Sequence, residues 1–209
     1  MKSSDQHPHL TDRIWKQNPI LAYGLMAAFV IGYTDNIMHS LILCYFFDVI
    51  SLSVSLLFFR IRSKLPYTIC ILSYSLLAAL VYIPAVIAAE YLFPNYSLDI
   101  YLPLCTLGFM FINQERIQSD DESEGFLHFW LWTLFGCLGF DVVALLMGMI
   151  REALAYGRIL NIKLADFISI PSVSSPAFGM ILLGTLSAIL QKTVQTKENK
   201  EALSDATPD

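Results

Sequence analysis

The stretch YLPLCTLGFMFINQER, residues 101–116, begins as though it were crossing a membrane and stops about halfway. It belongs to an apolar run at 100–112 of roughly 13 residues, whereas a helix needs about 20 residues to span the hydrocarbon core of a bilayer. A second short run, ILAYGLMAAFVIGY, lies at 20–33. Two short apolar runs of this kind are typical of helices that end inside a membrane.

Composition places the chain in a lipid bilayer. Of its 209 residues, 56% are hydrophobic and 15% are charged, and the mean hydropathy is +0.57, well above that of a soluble domain. The net charge of −5 comes mostly from acidic stretches at 119–124 and 201–209, so it predicts no nucleic-acid partner. The motifs GxGxxG, GxSxG and HExxH and the Walker loop are missing, and no catalytic residue is predicted.

The cysteines all lie within apolar runs, and none has a metal-like spacing such as CxxC. They are interpreted as small buried hydrophobic residues, and no metal site is predicted. They are Cys44, Cys70, Cys105 and Cys137.

Six apolar runs predict an all-α integral membrane protein, because unsatisfied backbone groups cannot face lipid. The polar segments 1–17 and 192–209 are predicted to be a cytoplasmic N-terminal segment and a disordered cytoplasmic tail around a membrane domain at 18–191. With both termini in the cytoplasm, only Arg151, Arg158 and Lys163 among the basic residues fall outside, which favours that orientation. The predicted helices are 20–33, 37–59, 66–93, 100–112, 126–150 and 176–190.

The order of run lengths predicts an internal repeat. Each half of the chain begins with a short run, and three crossings per half make the second half enter from the opposite side. We therefore expect six transmembrane helices in two inverted three-helix repeats, with 20–33 and 100–112 facing each other near the bilayer middle. The alternative is that both short runs are ordinary helices, extended by tilting or by polar flanks.

Ionisable residues inside apolar runs are costly and are the first candidates for function. Asp48 and Asp141 lie near the middle of the second and fifth runs, which are equivalent helices of the two repeats. Their carboxylates are expected to approach one pseudo-two-fold axis and to form a cation or proton site. Alternatively, each carboxylate is bonded to neighbouring hydroxyls such as those of Ser51, Ser53 and Thr133.

Three further groups lie nearer to the ends of the runs. Asp35 and His39 are four residues apart, so on a helix they share a face and can relay a proton, unless they lie among wet headgroups. Glu90 and the adjacent Arg151 and Glu152 are interpreted as helix anchors, with the arginine and the glutamate partly neutralising each other.

Four stretches resemble the six-helix membrane subunits of the Rnf complex and of the sodium-pumping NADH:quinone reductase, Nqr. The resemblance covers about residues 13–191, and its strongest part is Ile150-Arg151-Glu152 followed by a leucine. The opening Trp-Lys-x-Asn and the start of the last run favour one of the two branches of these subunits, the one whose N-terminus is cytoplasmic. The four stretches are IWKQNPILAYGLMAAFVIG (14–32), YSLDIYLPL (96–104), LGFDVVALLMGMIREALAYG (138–157) and SPAFGMILLGTLSAI (175–189).

The resemblance implies a membrane subunit of an ion-translocating electron-transport complex in the bacterial inner membrane. It also implies partners, namely a homologous subunit of opposite topology and other subunits of the Rnf or Nqr type. A chain of this kind is an accessory part of a translocase. The alternative is a relative repurposed as a small transporter or channel without redox chemistry.

The resemblance further implies a [2Fe–2S] cluster held by four thiolates from the short helices of two paired subunits. In this chain the two family positions fall on Ala28 and Phe109, which cannot ligate iron. Cys105 lies one helical turn before Phe109 and is a weak candidate for a shifted ligand. We therefore expect no cofactor in this chain and a role as a scaffold or ion-path subunit.

Overall fold

The computed structural model describes residues 30–61, 67–94, 126–160, 162–163 and 170–205. The predicted short helix at 100–112, most of the one at 20–33, and the cluster positions Ala28, Cys105 and Phe109 lie outside the described residues. The long helices of the described part are α1 Ile37–Ile61, α2 Tyr67–Leu92, α3 Phe126–Tyr156 and α4 Pro176–Asp205. Residues 30–33 are also helical.

Three helices of the described part are long and apolar enough to cross a membrane, so the chain is a multi-pass membrane protein. They are α1, α2 from Leu72 onward, and α3, with 25, 21 and 31 residues. A shorter apolar helix covers Pro176–Ile189, the first half of α4. These segments coincide with four of the six predicted runs.

Two helices are longer than their apolar runs. α3 continues past the predicted end at 150 to Tyr156, because Arg151 and Glu152 are buried and bonded and do not end it. α4 continues to Asp205, although 192–209 was expected to be a disordered tail. The residues beyond Lys192 include Gln, Lys, Glu, Ala and Leu, which favour helix whether or not lipid surrounds them.

The core of the described part lies on both sides of α1, which packs between α3 and α2. The rings of Phe47 and Phe140 are stacked between α1 and α3, with their centroids 3.7 Å apart and an interplanar angle of 8°. Towards α2, the ring of Phe58 meets that of Tyr74 edge-on at 5.1 Å. Such ring pairs contribute about 0.5–1.5 kcal/mol beyond the area they bury. Since lipid supplies little hydrophobic drive between helices, this packing holds them together.

The outer face of α2 is strongly apolar and exposed. Its inner face, by contrast, contributes small residues to the core, among them Ala78, Ala85 and Ala89. A helix that is apolar all round is suited to lipid on its outer face. The exposed side chains include Leu72, Leu76, Leu80, Ile83 and Ile87.

A tight turn follows α3. Gly157 has φ of 61°, in the left-handed region that a glycine adopts without strain, and ends the helix. Two short antiparallel strands follow, β1 Arg158–Ile159 and β2 Ile162–Lys163. A 3-10 helix at Pro171–Ser174 then leads into α4.

Candidate functional site

A five-residue pattern occurs once on α1 and once on α3. It is CYFFD at 44–48 and CLGFD at 137–141, so each copy reads Cys-x-x-Phe-Asp. Sequence reasoning singled out both aspartates but treated the cysteines as isolated hydrophobic residues. The repeated pattern is the sequence signal that would have joined them.

The structure brings the two aspartates together across the helix interface. The side chains of Asp48 and Asp141 hydrogen-bond each other. Asp48 also bonds Cys137, and Asp141 bonds Cys44. Each carboxyl group therefore contacts the other carboxyl group and the cysteine of the opposite helix, so the two copies of the pattern are joined reciprocally.

The helix pair is antiparallel. Ser55, late in α1, donates to Thr133, early in α3, at 3.1 Å. Conversely, Ser40, early in α1, lies against Gly148, late in α3, where an added Cβ would be 2.0 Å from the serine Oγ. The absence of a side chain at Gly148 is what allows this close approach. Two equivalent patterns on antiparallel helices are related by an approximate two-fold axis near the aspartates.

One oxygen of each aspartate lacks a partner. Oδ1 of Asp48 and Oδ1 of Asp141 are buried and accept no hydrogen bond from the part of the chain that the structure describes. The hydroxyls considered as alternative partners are engaged elsewhere, since Ser51 bonds Cys137 and Thr133 donates to the carbonyl of Phe129 at 3.2 Å. An unsatisfied buried acceptor costs about 1–3 kcal/mol, so these oxygens indicate a place for a proton or a cation.

The aspartates belong to a longer row of polar side chains between α1 and α3, which we name the polar seam. On α1 its members recur every three or four residues and so share one face of the helix. Apart from the two aspartates, which are half-buried, every member is buried. The polar seam consists of Ser40, Cys44, Asp48, Ser51 and Ser55 on α1 and of Thr133, Cys137 and Asp141 on α3.

Asp35 and His39 form a separate pair at the start of α1. His39 Nδ1 lies 2.5 Å from Asp35 Oδ1, and the ring of Tyr33 lies 5.2 Å from that of His39. Burial acts to raise the pKa of Asp35, but the hydrogen bond and charge of His39, with backbone N–H groups, hold it below its usual value. Asn36 Oδ1 accepts from the backbone N–H of His39 at 2.8 Å, as an N-cap does. The pair thus lies at the helix end, and His39 precedes Asp48 by about 13 Å along the axis.

Arg151 is a functional residue whose partners the sequence did not reveal. It is 1% exposed, and its guanidinium donates to main-chain carbonyls of two other segments. Nη1 donates to Ile31 at 2.8 Å, and Nη2 donates to Ser174 at 2.6 Å. These carbonyls belong to the end of the helical residues 30–33 and to the 3-10 helix before α4, where a cation is favoured.

Glu152 binds a different pair of main-chain groups. Its Oε2 accepts from the N–H of Ile37 at 2.9 Å, and its Oε1 accepts from the N–H of Leu160 at 3.0 Å. Ile37 begins α1, where the N–H groups have no partner within the helix. The expectation that Arg151 and Glu152 neutralise each other gives way to a division of labour, in which each side chain stabilises the end of another segment. Glu90, by contrast, is exposed near the end of α2.

Comparison with known proteins adds a family. The family model described as Rnf-Nqr subunit, membrane protein, matches residues 8–187. The match includes α1, α2, α3 and both Cys-x-x-Phe-Asp patterns. Comparison with curated protein sequences finds no significant match.

Proposed function

The chain belongs to the Rnf-Nqr subunit family of membrane proteins, and on that basis we propose that it is a membrane subunit of an Rnf- or Nqr-like ion-translocating electron-transport complex. Its role is accessory, as a scaffold or as part of the ion path. Membership over most of the chain and the membrane-crossing lengths of α1, α2 and α3 support this proposal.

The Asp48–Asp141 pair is the observation that carries an ion-path role. Carboxyl groups inside membrane helices are expensive and mark ion or proton pathways. Here two of them meet at the middle of two spans, each with a buried oxygen that has no partner among the described residues. A purely structural pair would gain more from satisfying those oxygens with the hydroxyls nearby.

The reciprocal contacts of the two Cys-x-x-Phe-Asp patterns also support the inverted architecture. We propose six transmembrane helices in two inverted three-helix repeats, with α1 and α3 as equivalent members. The short runs 20–33 and 100–112 would then face each other near the bilayer middle. Both termini are assigned to the cytoplasmic side of the bacterial inner membrane.

The ion-path role is tested in vesicles that contain the purified complex. Asp48→Asn and Asp141→Asn should each abolish the redox-driven membrane potential reported by a voltage-sensitive dye, while the subunits remain assembled. Glu90→Gln, which neutralises an exposed acid near the end of α2, is the matched control and should leave the potential intact. Full potential in both aspartate variants would refute the ion path.

We propose that the complex forms without a [2Fe–2S] cluster on this chain. Iron–sulfur clusters are ligated mainly by thiolates, and the family positions here are Ala28 and Phe109. Electron paramagnetic resonance of the reduced, anaerobically purified complex should show no [2Fe–2S] signal that depends on this chain. A signal that disappears on Cys105→Ala would show that a shifted ligand supports an altered centre.

The partner assignment is tested by purification in mild detergent. A homologous membrane subunit of opposite topology should co-purify, together with flavin- or iron-containing subunits. If the chain purifies alone and still conducts ions in vesicles, it is a small transporter or channel without redox chemistry.

A further inference from the structure

We infer that the ion accepted by the Asp48–Asp141 pair is a proton, which the thiols of Cys44 and Cys137 relay along the polar seam. The inference rests on the proposed ion-path role and specifies the ion that the site takes. It is carried by the chemistry of the groups that contact the two carboxyls.

The first argument is the bond between the two carboxyl groups. An ionised carboxylate only accepts hydrogen bonds, so two carboxyls can bond each other only when one of them holds a proton. Two carboxylates in contact also disfavour ionising together, because like charges repel strongly in a medium of low dielectric constant. The observed contact between Asp48 and Asp141 therefore corresponds to a pair that shares one proton.

The second argument is the nature of the flanking groups. On either side of the pair the next side chain is a thiol, Cys137 beside Asp48 and Cys44 beside Asp141. A thiol both donates and accepts a hydrogen bond, so it can pass a proton on. Hard cations such as Na⁺ prefer oxygen ligands and bind sulfur poorly. Flanking by sulfur on both sides suits a proton and not an alkali cation.

The third argument is continuity. Side-chain hydrogen bonds link Ser51 to Cys137, Cys137 to Asp48, Asp48 to Asp141, and Asp141 to Cys44. Every group in this chain carries or accepts an exchangeable proton. A second bonded pair, Ser55 and Thr133, lies one helical turn beyond Ser51 in the polar seam.

The transfer step balances without a co-reactant. The protonated carboxyl gives its proton to the ionised carboxyl, so the charge of the pair stays at minus one. When the thiol of Cys137 donates its proton to Asp48, its sulfur takes one from the Ser51 hydroxyl, and that oxygen is reprotonated from beyond it. One proton enters and one leaves at opposite ends, with no change in oxidation state.

Infrared difference spectroscopy of the full chain in nanodiscs tests the inference. At neutral pH the protein should show the carbonyl stretch of a protonated carboxylic acid, which disappears at alkaline pH and in the double variant Asp48→Asn/Asp141→Asn. Among the described residues, the titratable groups that face the pair are the two thiols. The S–H stretch should therefore shift together with the carboxyl band.

Cysteine variants test the relay. Cys137→Ala should remove the coupled S–H shift, whereas Cys137→Ser should keep the carboxyl band, because a hydroxyl also passes protons. Cys70→Ala is the matched control, since Cys70 is a buried cysteine on α2, outside the polar seam. It should leave both bands unchanged. An S–H shift that persists in Cys137→Ala and in Cys44→Ala would overturn the thiol relay.

A Na⁺ titration at constant pH uses the wild-type chain alone and so does not depend on the folding of any variant. The carboxyl band should not respond to Na⁺. If Na⁺ removes the band, the site takes a cation, and the proton assignment fails while the ion path stands. If the band responds to neither pH nor Na⁺, both the proton assignment and the ion path fail.

Discussion

Arg151 and Glu152 show how adjacent charged residues can be buried in a membrane protein without forming an ion pair. The five donors of Arg151 meet carbonyls at the ends of two segments, and the two carboxylate oxygens of Glu152 meet N–H groups of two others. Both side chains complete main-chain hydrogen bonding where helices end. They fix the positions of residue 31, the start of α1 and the start of α4 relative to α3.

Replacing Arg151 tests this role. Arg151→Gln should lower the free energy of unfolding by about 3 kcal/mol, because carbonyls at the ends of two segments are left buried and unsatisfied. Arg151→Lys should restore little, since a lysine is a point charge and lacks the planar fork of donors. Thermal unfolding in detergent measures the difference. Arg60→Gln, at an exposed arginine in the last turn of α1, is the control and should have no effect.

Asp35 predicts a dependence of stability on pH. Its pKa in the folded protein lies below the ordinary value of 3.8, because the bonds from His39 and the backbone outweigh its burial. A group whose pKa is lowered by folding adds stability above its unfolded pKa and loses it as the pH falls through the folded value. Asp35→Asn should therefore lower the melting temperature at neutral pH.

The gap between wild type and Asp35→Asn should close in the acid range below 3.8. The effect should be small, since the side chain of Asp35 is 34% exposed and solvent screens its pairing with His39. Melting curves of both proteins from neutral to strongly acidic pH measure the gap. A gap that stays constant across this range would mean that the pair with His39 adds no stability.

At the scale of helices, the contact between α1 and α3 depends on one glycine. A Cβ at position 148 would lie 2.0 Å from Ser40 Oγ and 3.0 Å from the carbonyl oxygen of Asn36. The serine can rotate, but the carbonyl belongs to the backbone and cannot move without shifting α1. Close approach at this point keeps the aspartates of the polar seam in contact.

Gly148→Ala should therefore destabilise the protein by about 1–3 kcal/mol, the usual effect of overpacking a core. Gly184→Ala on α4 is the matched control, because an added Cβ there meets nothing within 4 Å. It should be neutral or slightly stabilising, since alanine favours helix. Adding Ser40→Ala to Gly148→Ala should recover part of the loss, and no recovery would place the strain elsewhere. Unfolding of the four proteins in detergent gives these values.

At the scale of the whole molecule, the antiparallel packing of α1 and α3 agrees with the orientation expected from the basic residues. If both termini are cytoplasmic, α1 ends on the inner side and α3 on the outer side. The exposed residues Arg60 and Lys192 then lie in the cytoplasm, and Arg158 lies outside.

Cysteine labelling tests this orientation. A cysteine introduced by Arg158→Cys should react with a membrane-impermeant maleimide in intact cells. Cysteines introduced by Arg60→Cys or Lys192→Cys should react only after lysis. Cys44, Cys70 and Cys137 are buried and should contribute little background. The reverse labelling pattern would invert the topology and the proposed direction of the ion path.

The sequence by itself determined that the chain is a helical membrane protein, where its long helices run, and which family it resembles. Hydropathy and run length are local properties, and a bilayer turns them directly into helices, as α1, α2 and α3 show. Asp48 and Asp141 could be singled out for the same reason, because a charge in an apolar run is visible without knowing its neighbours.

Only the tertiary structure decided what those residues contact. The bonds of Asp48 to Cys137, of Arg151 to Ile31 and of Glu152 to Ile37 join residues far apart in the chain. Such contacts depend on how each helix is rotated and on its register against its neighbour, which are set by packing at points such as Gly148. Local pattern carries no information on rotation or register, so the polar seam emerged only when α1 and α3 were packed together.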